Sequence, residues 1–112
     1  MNWELTMKKK KKIIVNSMYE ILPYSKRKAL ELGVHIKPST NPKKKIDVFD
    51  YHNNYICSIG AIGYKDFPTY VKDNGMEYAI ERRRLYLIRH SKEKKHPDYL
   101  GSPGYYATHI LW

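Results

Sequence analysis

The side chains able to do covalent or acid–base chemistry are few in this chain and poorly spaced for it. Five histidines stand at 35, 52, 90, 96 and 109 with no His-x-x-x-His pair among them, and Cys57 is the single cysteine. Such a set builds neither a structural zinc site nor an internal disulfide. Gly60-Ala-Ile-Gly63 is too short to cradle a phosphate and is not followed by Lys and Ser or Thr. Asp47, Asp50, Asp66 and Asp73 show no spacing that would set two carboxylates on one rigid face beside a nucleophile. The expectation is a protein that is not an enzyme and takes no cofactor, metal or small-molecule substrate. Cys57 alternates with Ile56 in a strand-like run and reads as a small buried apolar side chain.

Cationic and phenolic surface is what the chain carries in abundance. Its 112 residues include 21 Lys and Arg against 11 Asp and Glu, a formal net charge of +10, and 11 tyrosines. The positive charge is uneven and flanks a mildly acidic centre over residues 46–81. Three clusters are candidates for binding a partner or a phosphate: Lys8, Lys9, Lys10, Lys11 and Lys12; Lys43, Lys44 and Lys45; and Arg82, Arg84 and Arg89. A field of this sign favours nucleic acid, an acidic protein surface or an anionic membrane face, and does not choose among them. Tyrosines beside cations suit protein interfaces, and some single-stranded nucleic-acid platforms use them too.

The elements that would position these clusters are legible in part. A chain of this length buries about 65% of its unfolded surface, enough for one modest core. Residues 1–22 read as a basic N-terminal arm and residues 23–112 as one small α+β domain. Ser25 to Gly33 reads as a short helix with Ser25 as N-cap and Gly33 as its stop, packed through Leu30 and its neighbours. Pro38 to Pro42 reads as a loop. Lys45 to Asp50 alternates apolar and polar residues, Tyr51 to Asn54 supplies turn formers, and Tyr55 to Ile59 returns, which predicts a β-hairpin. Gly60 to Tyr64 breaks the strand, and Asp66 to Tyr70 reads as an aromatic-rich connection. A lone hairpin is marginal in water, so two or three helices must cover one face.

Asn74-Gly-Met-Glu77 has the spacing of a capping box, from which a helix should run through Arg82-Arg-Arg84 to about Ser91 or Lys94 and end near Pro97. At 100° per residue, Met76, Ile80 and Leu87 share one face, with Ala79, Tyr86 and His90 on its shoulder. Arg83 falls inside that sector, either packing its stem there or reaching a phosphate or carboxylate. Tyr78 and Leu85 lie opposite, as in a helix clasped between two layers or one whose outer face meets a partner.

From Tyr99 to Trp112 there is no Asp, Glu, Lys or Arg. Chain ends are polar and frayed unless something ties them down. Burying Ile110, Leu111 and Trp112 would contribute roughly 1.5–3 kcal/mol each. With Pro103 suited to a first helical turn, the tail is predicted to be a short helix docked as a latch through Tyr105, Tyr106, Ile110, Leu111 and Trp112. The start does not read as a signal peptide, and no apolar run approaches the roughly 20 residues that span a bilayer. The unpaired cysteine agrees with a reducing compartment.

Several blocks in order resemble a group of short basic proteins of large double-stranded DNA viruses of algae and protists, including chloroviruses and mimivirus relatives. They are Leu32-Gly-Val34 with Pro38-Ser39, Lys43 to Val48, Ile59 to Asp66 with Thr69-Tyr70, Arg82 to Tyr86 with Arg89-His90, and Gly101 to Ala107 with Ile110-Leu-Trp112. The resemblance covers residues 24–112, leaves the lysine run outside, and carries over no catalytic residue. It implies a viral setting, in which the leading expectation is a minor capsid protein on the inner side of an icosahedral shell. Its partners would be the major capsid protein and other minor capsid proteins. Its place would be the virion, with host cytoplasm or nucleus during assembly. The alternative is a basic nucleic-acid-binding protein for genome packaging or regulation.

Overall fold

The computed structural model describes residues 18–112; the Lys8–Lys12 cluster lies outside the described residues. The architecture is α+β, a three-stranded antiparallel sheet in the order β1-β2-β3 with helices packed around it. In chain order the elements are α1 (Pro23–Leu32), β1 (His35–Pro38), β2 (Lys44–Phe49), β3 (Tyr55–Ala61), α2 (Phe67–Asn74), α3 (Met76–Arg89), a single 3-10 turn (Glu93–Lys95) and α4 (Pro103–Leu111).

The predicted hairpin is β2 and β3, joined by a turn in which Asn53 takes φ 66° and Asp50 accepts from the His52 and Asn54 amides at 2.8 and 2.9 Å. Two strand features were not foreseen. His35–Pro38 pairs antiparallel with β2, converting the hairpin into a meander, and β3 runs on through Gly60 to Ala61. Strand alternation explains the core. Ile46 lies opposite Ile59, Val48 opposite Cys57, and Ile36 opposite Val48, so these side chains share one face. Ile46, Val48 and Ile59 are almost wholly buried with Ala29, Val34, Ile110 and Leu111. Cys57 is half-buried against this cluster, and burial pushes its thiol pKa up.

The other face carries Asp47 opposite Ser58. Burial works against the Asp47 charge. Hydrogen bonds outweigh it: Ser39 Oγ and Ser58 Oγ both donate at 2.6 Å and the Thr40 amide at 3.4 Å, and together they hold the carboxyl below its usual range.

Helix α1 ends at Gly33 as predicted, in the left-handed region at φ 73°. Its N-cap is Leu22 rather than Ser25, with Pro23 in the first turn. Ser25 is instead fully buried within the first turn of the helix, where its Oγ donates to the Ile110 carbonyl at 2.9 Å. The inward residue is Ala29, while Leu30 is 77% exposed, because the packed stripe runs Ser25–Ala29 at i, i+4. The compact body takes in residues ahead of α1 as well: Ile21 packs on the core, and Tyr19 is tied to Asp66.

Asp66 to Tyr70 is not a plain connection. Asp66 caps α2 by accepting from the Thr69 amide at 3.0 Å, with Pro68 in the first turn. Helix α2 then runs to Asn74, so the expected capping box does not form. Gly75 separates α2 from α3 at φ 89° and ψ 163°. Helix α3 ends at Arg89, short of the expected Ser91 or Lys94.

The tail is a docked helix. Ser102 caps α4 by accepting from the Tyr105 amide at 3.2 Å, and Pro103 fills the first turn. Ile110 and Leu111 are buried in the core, and Tyr106 and Trp112 pack on it half-buried. Tyr105 is half-buried, its ring 5.7 Å from Tyr99 and 4.6 Å from His109. Helix ends leave carbonyls unpaired. Here α1 supplies donors, Ser25 Oγ to Ile110 and Tyr24 Oη to the Trp112 carbonyl at 2.9 Å.

Leu111 lies close over Gly60. A Cβ at Gly60 would meet Leu111 Cδ1 at 2.8 Å and Lys45 Cδ at 2.9 Å, and φ there is +77°. Gly60→Ala is therefore expected to destabilise the fold by about 1–3 kcal/mol from overpacking alone, read as a lower urea midpoint. Acid provides a second check. A carboxyl held low in the fold contributes stability that is whole above its unfolded value of about 3.9 and is lost as pH falls through the lower folded value. Stability measured by circular dichroism below about pH 4 should fall less steeply in Asp47→Asn than in the wild type.

Candidate functional site

Helix α3 was expected to turn Met76, Ile80 and Leu87 inward. It turns the shoulder inward instead: Ala79 and Tyr86 are buried, Leu87 is half-buried, and Met76 and Ile80 are 54% and 48% exposed. The rotation follows from the ring at the end of the latch. Trp112 stacks on Tyr86 with centroids 4.3 Å apart and planes 10° apart, and Tyr86 donates to or accepts from Thr108 of α4 at 3.2 Å. Burial pushes the Tyr86 hydroxyl pKa up.

This rotation disperses the cluster of Arg82, Arg84 and Arg89. Arg83 lies over the Phe67 ring at 4.2 Å and Arg82 over the Tyr70 ring at 5.4 Å, both half-buried cation–π contacts. Arg84 points outward and makes a two-pronged contact with Glu81, Nη2 to Oε1 at 2.6 Å and Nε to Oε2 at 3.0 Å. Arg89 is exposed. Arg82, Arg84 and Arg89 therefore do not form one solvent-facing stripe.

Lys45 departs furthest from expectation. Lys43 and Lys44 are exposed, whereas the Lys45 side chain is 6% exposed and ion-paired with Asp66, 1% exposed, at 2.9 Å. Its ammonium also donates to the Tyr64 carbonyl and sits 5.3 Å over the Tyr19 ring. Lys45 is therefore a structural cation, not a surface one. The strand pattern explains it: the ammonium leaves water only because Asp66 waits at the start of α2. Tyr19 Oη adds a hydrogen bond to the same Asp66 oxygen at 2.5 Å. Desolvation first, then this bond, raise the Tyr19 hydroxyl pKa well above its ordinary value.

Beside this pair a cleft of about 320 Å³ opens between β3, α2, α3 and α4. Gly60 of β3, Tyr64, Tyr70 of α2, Arg82 and His90 at the α3 side, and Trp112 after α4 are among the residues that line it. Residues far apart in sequence converge here, from Gly60 in β3 through Tyr70, Arg82 and His90 to Trp112. His90 Nδ1 lies 2.9 Å from Glu93 Oε1. The arrangement can hold an anion or receive a ring; among the described residues no three His, Cys, Asp or Glu side chains stand together to bind a metal. Sequence reasoning named Asp66, Tyr64 and Tyr70 but gave them no role at a site. The signal was Asp66-Phe-Pro-Thr69, which reads as an N-cap with proline in the first turn.

No protein-family model, curated protein or solved structure matches the chain.

Removing one member of a buried ion pair strands the other. Lys45→Met should accordingly cost about 3–5 kcal/mol in unfolding free energy, whereas Lys43→Met and Lys44→Met should leave the denaturation midpoint unchanged.

Proposed function

We propose that this chain is a minor structural protein that cements subunits of a large icosahedral DNA virus from the inner side of the shell. The observation that supports this reading most is how its exposed surface is partitioned. The cations are dispersed, with Lys45 internal, Arg82 and Arg83 laid on rings, and Arg84 matched to Glu81. Between them the outer face of α3 presents Met76, Ile80 and Ile88, the last 57% exposed. Large apolar side chains interrupted by charge suit several protein contacts better than a continuous phosphate track. No helix among the described residues is long and apolar enough to cross a membrane.

A second reading, nucleic-acid binding, draws on Arg89, Lys92, Lys94 and Lys95, all exposed around the end of α3. It requires an affinity that falls steeply with salt, in proportion to the phosphates neutralised.

Mass spectrometry of purified particles should find the chain at fixed stoichiometry to the major capsid protein; particles without it would overturn the reading. The double variant Ile80→Glu/Ile88→Glu should keep the wild-type melting temperature, since both positions are exposed. It should nonetheless fail to co-sediment with capsid shells.

A further inference from the structure

Two guanidinium groups line the cleft and form no ion pair among the described residues, although Arg82 also lies over the Tyr70 ring. Arg82 and Arg89 stand seven positions apart on α3, nearly two turns along one side, with Tyr86 between them. At 1.5 Å per residue their Cα atoms are about 10 Å apart along the axis, within reach of one ligand for side chains this long. Arg82 Nε is buried and has no hydrogen-bond partner among the described residues. A guanidinium keeps its charge and offers five donors, so a buried, idle Nε marks a place where an acceptor is missing. The neighbouring carboxylates are taken. Asp66 is filled by Lys45, Tyr19 and the Thr69 amide; Asp73 lies 3.2 Å from Lys65; Glu81 faces Arg84; Glu93 faces His90.

We propose that this cleft binds the phosphate group of a nucleotide. Phosphate suits the donors: its several oxygens accept from two guanidinium groups at once, and planar forks recognise it with directional bonds. The volume of about 320 Å³ stands near the lower end of the roughly 300–1,000 Å³ typical of ligand pockets, the scale of a small ligand such as a single nucleotide. The walls suit the remainder of such a ligand. Tyr64 lines the cleft and is 76% exposed, an aromatic face on which any base can stack without regard to its identity; the Tyr70 and Trp112 rings that also line it are engaged by Arg82 and Tyr86. The site is independent of the capsid contact on the outer face of α3.

Calorimetric titration of the full chain with inorganic phosphate, AMP and a short single-stranded oligonucleotide tests it. AMP should bind saturably, one to one, more tightly than phosphate and in competition with it. Arg89→Gln, an exposed position, should weaken AMP binding by about tenfold or more, the equivalent of one charged hydrogen bond, with no change in unfolding midpoint. Arg82→Gln should weaken it as well, and Lys26→Gln on α1 should not. An oligonucleotide that displaces AMP assigns the site to a nucleotide within a strand; one that does not assigns it to a free nucleotide, and either result supports the proposal. Absence of saturable AMP binding, or equal weakening by Lys26→Gln and Arg89→Gln, would overturn it.

Discussion

The buried pair of Lys45 and Asp66 is the constraint around which the other parts of the molecule are arranged. Taking both charges out of water is costly, and attraction offsets that cost only with good geometry and every remaining lone pair engaged. Asp66 meets the condition: one oxygen receives Lys45 and Tyr19, the other the Thr69 amide. One carboxylate thereby pins the central strand, starts α2 and holds down the chain ahead of α1. The orientation of α2 sets where Phe67 and Tyr70 stand, and those rings receive Arg83 and Arg82.

The C-terminal helix completes the core from the other side. Ile110 and Leu111 fill the space between α1 and the sheet, and the Leu111 and Lys45 side chains approach so closely that position 60 has no room for a side chain. Tyr24 and Ser25 satisfy carbonyls that would otherwise be orphaned at the end of α4. Apolar burial and polar pairing act on the same residues, so the latch is held in one register. Its last residue then decides the rotation of α3, because Tyr86 follows the Trp112 ring inward.

That rotation has a functional consequence. Cations that lie together in sequence are distributed to three destinations: the interior for Lys45, aromatic faces for Arg82 and Arg83, and solvent for Arg84 and Arg89. The outward side of α3 is left partly apolar. This partition is what supports the proposed adhesion to proteins, and the inward side lines a small cleft in which Arg82 Nε has no hydrogen-bond partner among the described residues.

Much of the architecture was legible in the residues. The β2–β3 hairpin followed from alternation and the Asn-rich turn, the stop of α1 from Gly33, and the docked tail from its lack of charge, because each rests on local backbone preference or on an apolar segment that must leave water. The four-residue strand β1 carried no such signal, since His35–Pro38 alternates too briefly and gains its pairing only from β2. Nor was the inward face of α3 readable, because apolar residues occur all round it and a packed tyrosine outcompeted an exposed methionine and isoleucine. By itself, then, the sequence determined the α+β class, the hairpin, the latch and the surplus of positive charge. Only the tertiary structure decided which cations remain at the surface, because the fate of each depends on a carboxylate or ring brought alongside from a distant segment.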